Sequence, residues 1–301
     1  MFLTECPRDA MQGWGEFIPT AKKIDYINAL MDVGFDVLDC GSFVSPKSIP
    51  QMADSGTVLD EIDKSISNTK LSVIVANYRG AEKALEHQQV DILGFPFSIS
   101  ETFQYRNTNK NQEEAFNDIL KIHELLKTDG RTLNVYFSMA FGNPYGEMWK
   151  WEDVDFWANR FNEIGIKNVL LSDTTGTGNL EQIELLFEKI PSKYPDVDFG
   201  AHFHNRYEDS YKKLKAAYDK GCRRFDSAIK GIGGCPMAKD DLVAICRQNR
   251  LLILWRWRKL NIPLICLISK VRTTAQKTFF IFKSIHHDFK NKIPRRSPLR
   301  I

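Results

Sequence analysis

The 301-residue chain is 43% hydrophobic and 26% charged, with 18 Gly and 12 Pro, so collagen-like, coiled-coil and disordered classes drop out, and the length suits one large domain or two modest ones. The net charge of +3 hides a split: residues 244–301 hold 14 of the 41 basic residues and, in Asp288, one of the 38 acidic ones, while 1–243 holds 27 basic residues, 37 acidic ones and every Gly. The six Cys are unevenly spaced with no CxxC, which is not a disulfide framework, and with neither a signal-peptide pattern nor a run of ~18 apolar residues the expectation is a reduced, cytoplasmic protein.

Short β-rich runs alternate with longer amphipathic ones. Phe2–Thr4 opens as a strand, and Ile24–Met31 sets Ile24, Ile27, Leu30 and Met31 at helical spacing. Val37–Cys40, Leu71–Val75 and Asp91–Phe95 read as strands. Asn111–Leu126 is a helical stripe of Phe116, Ile119, Leu120, His123 and Leu126 that ends at Asp129-Gly130. Leu133–Ser138 and Asn168–Leu171 are strands, Leu180–Ile190 a helix, Asp198–Phe203 a strand, Tyr207–Lys220 a helix and Arg224–Ala228 the eighth strand. Eight strands alternating with helices predict an α/β fold, a closed (β/α)8 TIM barrel. A doubly wound sheet is the weaker alternative, because no GxGxxG follows the first strand.

Polar and Gly-rich clusters follow the strands, and in such a barrel all strand C-terminal ends open on one face. His202 and His204 stand two apart at a strand end, on one side of it. Two imidazoles there can bind a divalent cation, with Asp9 or Asp173 supplying oxygen; by itself the pair reads more often as two unrelated polar residues. Arg8-Asp9 after the first strand is either a surface contact or a cation ligand beside a group that neutralises developing negative charge. Asp39 is a base or a solvated acid. Cys235 sits in a Gly-rich loop that can approach a substrate closely, although a lone Cys is more often a small buried hydrophobe. The run 172–178 offers backbone N–H groups to a phosphate at the next helix start, yet lacks the Lys-Ser/Thr of a P-loop. His87 and His123 read as helical surface or satisfied core residues.

Five segments, taken together, resemble the 3-hydroxy-3-methylglutaryl-CoA lyases of the metal-dependent aldolase barrel family. They are Glu5-Cys6-Pro7-Arg8-Asp9-Ala10-Met11-Gln12-Gly13, Ser42-Phe43-Val44-Ser45-Pro46-Lys47, Ser172-Asp173-Thr174-Thr175-Gly176, His202-Phe203-His204-Asn205 and Gly231-Ile232-Gly233-Gly234-Cys235-Pro236. The Gly-Gly-Cys-Pro loop is the most discriminating, because sister synthases and aldolases of this barrel group lack that Cys. The resemblance implies cleavage of 3-hydroxy-3-methylglutaryl-CoA to acetyl-CoA and acetoacetate in leucine degradation. It implies Mg²⁺ or Mn²⁺ held by Asp9, His202 and His204. Arg8 would face the thioester carbonyl and stabilise the enolate, and Cys235 would take part in proton transfer. Asp39 stands where the family commonly has Glu, one methylene longer. Asp173 would line the site, with Gln12, Ser42 and Lys47 on the substrate side. The implied partner is a small-molecule acyl-CoA, with neither nucleic acid nor membrane expected and a homodimer left open. The alternatives are a catalytically defective member, or a related acyl-CoA or 2-oxo acid aldolase or synthase.

The resemblance stops after Val243. Family members continue with a Gly-Asn pair, whose Asn is the fourth protein ligand, and then with the eighth helix. Related bacterial lyases resemble Gly-Asn-Met-Pro-Thr-Glu where this chain reads Ala244-Ile245-Cys246-Arg247-Gln248-Asn249. Written as GGC AAT ATG CCG ACA GAA and stripped of one G, that peptide becomes GCA ATA TGC CGA CAG AA, which encodes Ala-Ile-Cys-Arg-Gln and then permits Asn. The expected organisation is therefore a barrel domain over 1–243 and an out-of-frame basic tail over 244–301, with the eighth helix replaced by an unrelated segment. The competing reading is a genuine tail for nucleic acid or a membrane surface, which Leu251–Trp257, with six large apolar residues in seven, resembles on the membrane side.

Overall fold

The structure, a computed structural model, describes residues 1–205 and 209–229. Eight strands pair in chain order, all parallel, and the last closes on the first. They are β1 (Phe2–Glu5), β2 (Val37–Ser42), β3 (Lys70–Ile74), β4 (Ile92–Ser98), β5 (Thr132–Ser138), β6 (Asn168–Asp173), β7 (Asp198–Phe203) and β8 (Arg224–Ser227). The helices are α1 (Pro7–Gln12), α2 (Thr20–Met31), α3 (Ser55–Glu61), α4 (Tyr78–Leu85), α5 (Glu101–Thr108), α6 (Gln112–Asp129), α7 (Trp151–Glu163), α8 (Leu180–Lys193) and α9 (Ser210–Asp219). The closed (β/α)8 barrel is the architecture the strand count predicted.

Successive strand residues face opposite sides of the sheet, and here the two sides differ in chemistry. Outward residues such as Leu3, Leu71, Leu93, Val135, Val169 and Phe225 join the apolar faces of the helices in one continuous core. Inward positions are largely polar and buried: Thr4, Asp39, Ser72, Asn134, His202 and Asp226. Ile74, Tyr136 and Leu170 form a small separate apolar cluster. The absent side chain of Gly94 makes this interior possible, since a Cβ there would stand 2.7 Å from Ile74 Cδ1 and 3.0 Å from Tyr136 Cε2.

Two local features depart from expectation. Arg8 and Asp9, read only as following the first strand, lie in a helix, because Pro7 starts α1 with Cys6 alone between it and the end of β1. Proline suits that first helical position, where its fixed φ is already helical and its missing N–H has no partner to lose. β2 and β6 also run on to Ser42 and Asp173, and the register of β2 shifts between Asp39 and Gly41. The longer helices stop where their caps dictate. α6 opens on a capping box of Asn111 and Glu114 and ends at Gly130 in the left-handed region, φ 86°, which suits glycine. α8 opens on the equivalent Asn179–Gln182 box. Tyr207, Cys235, the eighth-helix region and the segment 244–301 lie outside the described residues.

Candidate active site

The C-terminal ends of the strands open into a pocket lined by Arg8, Asp9, Gln12, Tyr136, Ser172, Thr174, His202 and His204, among others. Because α1 follows β1 directly, Arg8 and Asp9 are fixed in its first turn and buried. The Arg8 guanidinium is clamped. Its Nε donates to both Asp39 oxygens at 3.2 and 3.0 Å, and its Nη2 donates to Asp39 Oδ2 at 2.5 Å. Its Nη1 donates to Asp9 Oδ1 at 3.1 Å and to Gln12 Oε1 at 2.8 Å. Gln12 Nε2 in turn donates to Asp9 Oδ1 at 2.6 Å. The shorter Asp39 therefore still reaches its partner. Burial opposes the charge on Arg8, but Asp39 and Asp9 outweigh it and hold the guanidinium firmly protonated. Burial also pushes the Asp39 carboxyl up from its ordinary value, and Arg8 pulls it partly back.

His202 lies in β7 and His204 just beyond it, and their Nε2 atoms meet at 3.2 Å. Neighbouring ligands around a six-coordinate cation with bonds of about 2.1 Å stand about 3 Å apart. Both imidazoles line the same pocket as Asp9, so the residues present fit a divalent cation with mixed nitrogen and oxygen ligands. On its other side His202 Nδ1 is 2.9 Å from Asp226 Oδ2, and Tyr136 meets the His202 ring edge-on, with centroids 5.4 Å apart. Burial would push His202 down, but the hydrogen bond and charge of Asp226 raise it above its ordinary value.

The tightest grouping of ligand-type side chains among the described residues is a different one, Cys6, His202 and Asp226, with ligand atoms within 4.8 Å of one another. Burial, and then the nearby carboxylates of Asp226, Asp39 and Glu5, push the Cys6 thiol well above its ordinary value. A hard divalent cation such as Mg²⁺ or Mn²⁺ prefers oxygen and imidazole donors to a thiol, which favours the paired Nε2 atoms beside Asp9 over this grouping.

The remaining expected residues divide. Ser42 lines a neighbouring pocket with Phe43, Ser45, Pro46, Asn77 and Arg79, and Lys47 is exposed in the turn beside it. Asp173 is 1% exposed beneath the loop between β6 and α8. It accepts from Lys213 Nζ at 2.7 Å and from Gly178 N–H at 3.2 Å. A Cβ on Gly178 would stand 2.6 Å from Phe141 Cβ, so glycine permits this close turn. The 172–178 run thus gives the Gly178 N–H to its own Asp173 rather than leaving it for a phosphate. His204 is tied to the same place, its backbone N–H donating to Asp173 O at 3.1 Å.

Asp226 and Tyr136 were not anticipated. Each had a signal: a polar or polar-tipped residue one step from the outward apolar residues Phe225 and Val135 of its strand, and so at an inward position.

The sequence model of the HMGL-like family matches residues 2–239. A hydroxymethylglutaryl-CoA lyase of Bacillus subtilis is 30% identical over 279 residues, 90% of each chain. A 3-hydroxy-3-isohexenylglutaryl-CoA/hydroxy-methylglutaryl-CoA lyase of Pseudomonas aeruginosa is 31% identical over 248 residues, 82% of each chain. Among solved structures, an HMG-CoA lyase of Acinetobacter baumannii in complex with coenzyme A and 3-methylmalate superposes with a TM-score of 0.83 at 31% identity. It covers 92% of this chain and 91% of its own.

Proposed function

Because the chain belongs to the HMGL-like family, we propose that it takes an acyl-CoA substrate and cleaves 3-hydroxy-3-methylglutaryl-CoA to acetyl-CoA and acetoacetate. The observation that carries this reading is the convergence of the clamped Arg8, Asp9 and the facing Nε2 atoms of His202 and His204 on one pocket. Asp9, His202 and His204 are the ligands for Mg²⁺ or Mn²⁺. Bound there, the cation would supply positive charge that lowers the pKa of the substrate's C3 hydroxyl; a general base takes that proton as the C2–C3 bond breaks and acetoacetate leaves. Arg8 binds the thioester carbonyl and stabilises the negative charge that develops on its oxygen as the C2–C3 bond breaks. Asp39 acts through Arg8 by keeping the fork aimed. Cys235 takes part in delivering the proton to the enolate carbon. Asp173 acts by holding the loop that carries Thr174, and Gln12, Ser42 and Lys47 serve the substrate side. A cytoplasmic place in leucine degradation belongs to the same proposal; among the described residues no helix is long and apolar enough to cross a membrane.

The test is Mn²⁺ affinity and product release in one experiment. His204→Ala should lose most of both, and retention of both would remove His204 from the ligand set.

A second reading concerns 244–301, for which we propose an out-of-frame segment joined to the lyase domain 1–243. The codon arithmetic supports it; the family model ends at residue 239, while the Bacillus subtilis relative, matched over 90% of this chain, aligns with part of 244–301 as well. It makes the chain as written a weakened enzyme, because the segment replaces the family's Asn ligand. Resequencing the gene from codon 240 and reading it in the neighbouring frame tests it: a continuous frame that opens with Gly-Asn-Met-Pro-Thr-Glu or a close equivalent, intact or one base out of register, supports the deletion, and the lack of any such frame removes it.

A further inference from the structure

We propose that Asp226 is the positioning residue of the cation site: it holds His202 in the tautomer whose Nε2 is free to bind the metal. The proposal rests on the reading of His202 as a ligand.

The strands set up the contact. Ala201 of β7 lies opposite Phe225 of β8, so the next residue on each strand, His202 and Asp226, turns into the barrel beside the other. Asp226 Oδ2 is 2.9 Å from His202 Nδ1, and the Asp226 side chain is fully buried. Among the described residues its Oδ1 has no hydrogen-bond partner, so the imidazole is the one hydrogen bond found for this carboxylate there. A neutral imidazole carries one N–H. A carboxylate accepting at Nδ1 keeps the proton on that atom and leaves the Nε2 lone pair toward His204, 3.2 Å away.

Position matters as well as protonation. Asp226 does not line the pocket; it stands behind His202, on the side away from His204. Tyr136 meets the ring edge-on at 83°. The imidazole is therefore fixed by a hydrogen bond at one nitrogen and a ring contact at another edge, leaving Nε2 to the ligand. Carboxylates behind metal-binding imidazoles orient the ring and raise its basicity, and their loss typically costs about 10–100-fold in metal affinity. Asp226 also accepts at Nδ1, which closes that nitrogen to a cation shared with the nearby thiol of Cys6.

The experiment is a Mn²⁺ titration of the full chain, followed by the paramagnetic signal of free Mn²⁺, for the parent, Asp226→Ala, Asp226→Glu, Cys6→Ser and His202→Ala. The expected result is at least a tenfold weaker Kd for Asp226→Ala, partial recovery in Asp226→Glu, little change in Cys6→Ser and loss of the site in His202→Ala. An unchanged Kd in Asp226→Ala with loss in His202→Ala overturns the positioning role and leaves the ligand reading standing. A parent Kd that His202→Ala does not alter overturns both. A loss in Cys6→Ser equal to that in Asp226→Ala overturns the proposal in favour of a cation held between Cys6, Asp226 and Nδ1. The parent alone gives an independent readout, should Asp226→Ala fail to fold. Its ¹⁵N histidine spectrum without metal should show His202 protonated at Nδ1, the peak being assigned by its absence in His202→Ala. Protonation at Nε2 instead overturns the proposal.

Discussion

At Arg8 the side chain's charge and its aim come from different neighbours. Asp39 grips Nε and Nη2, leaving Nη1 at the pocket beside Asp9 and Gln12. Asp39→Asn removes the charge that holds the fork but no cation ligand. It should lower kcat by about 10²-fold, the scale of a lost charge-stabilising contact, while Mn²⁺ Kd stays within about threefold; a comparable loss of metal affinity would make Asp39 part of the cation site itself. Glu5 shows the opposite balance. It faces outward from β1 and is fully buried, and burial pushes its carboxyl up to about 8 from 4.5, against hydrogen bonds from Ile229 N–H and Ser227. A carboxyl raised in the folded state favours folding fully below its unfolded value and loses that contribution as pH climbs through the folded one. Between pH 4.5 and about 8 the parent should therefore lose stability on the order of a few kcal/mol that Glu5→Gln does not lose. Thermal melts across that range check it, and parallel curves for the two proteins would show that Glu5 ionises freely when folded.

Elements were legible in proportion to the apolar contrast they carry. β7 matches its predicted span, because alternating outward apolar residues mark it, and α6 stood out by its stripe and its Asn111 and Gly130 ends. α1 was missed, since its six residues are too few to show a helical period and its buried face mixes Ala10 and Met11 with the charged Arg8 and Asp9. The His202–His204 pair could be read from strand periodicity alone. Asp226 could not, because its partner lies 24 residues away and depends on the register between β7 and β8. The Asp173 turn was likewise hidden, because the cation that pairs with it, Lys213, comes from α9. Lys213 joins α9 to the loop after β6 through Asp173 and the Gly176 carbonyl, at 2.7 and 2.8 Å, with both side chains buried. Removing one partner of a buried pair strands the other charge at about 3–5 kcal/mol. Lys213→Met should lower Tm by roughly 10 °C at the usual 2–4 °C per kcal/mol for a chain of this size, with partial recovery in Lys213→Arg. A shift below about 2 °C would mean that Gly178 alone holds the turn.

For the whole molecule, the barrel and the pocket at its mouth belong to residues within the family match, and the composition break lies beyond it. A (β/α)8 barrel needs a helix over the outer face of its last strand. Leu251–Trp257 is apolar nearly all round, unlike the one-sided stripe of a surface helix, and Pro263 then interrupts any helix within two turns. An apolar strip left uncovered costs about 25 cal/mol per Å², so a few hundred Å² reach several kcal/mol, a large part of a domain's ~5–15 kcal/mol. Stability and cation affinity should therefore rise together when the reading frame is restored after Val243. The most direct measurement is the release of acetyl-CoA and acetoacetate from 3-hydroxy-3-methylglutaryl-CoA by the chain as written and by its frame-restored counterpart, each with Mn²⁺ and with chelator. Metal-dependent release of both products by the restored chain, greatly reduced in the chain as written, is the predicted result. No release by the restored chain would contradict the proposed reaction, and equal turnover by the two would contradict the out-of-frame origin of 244–301.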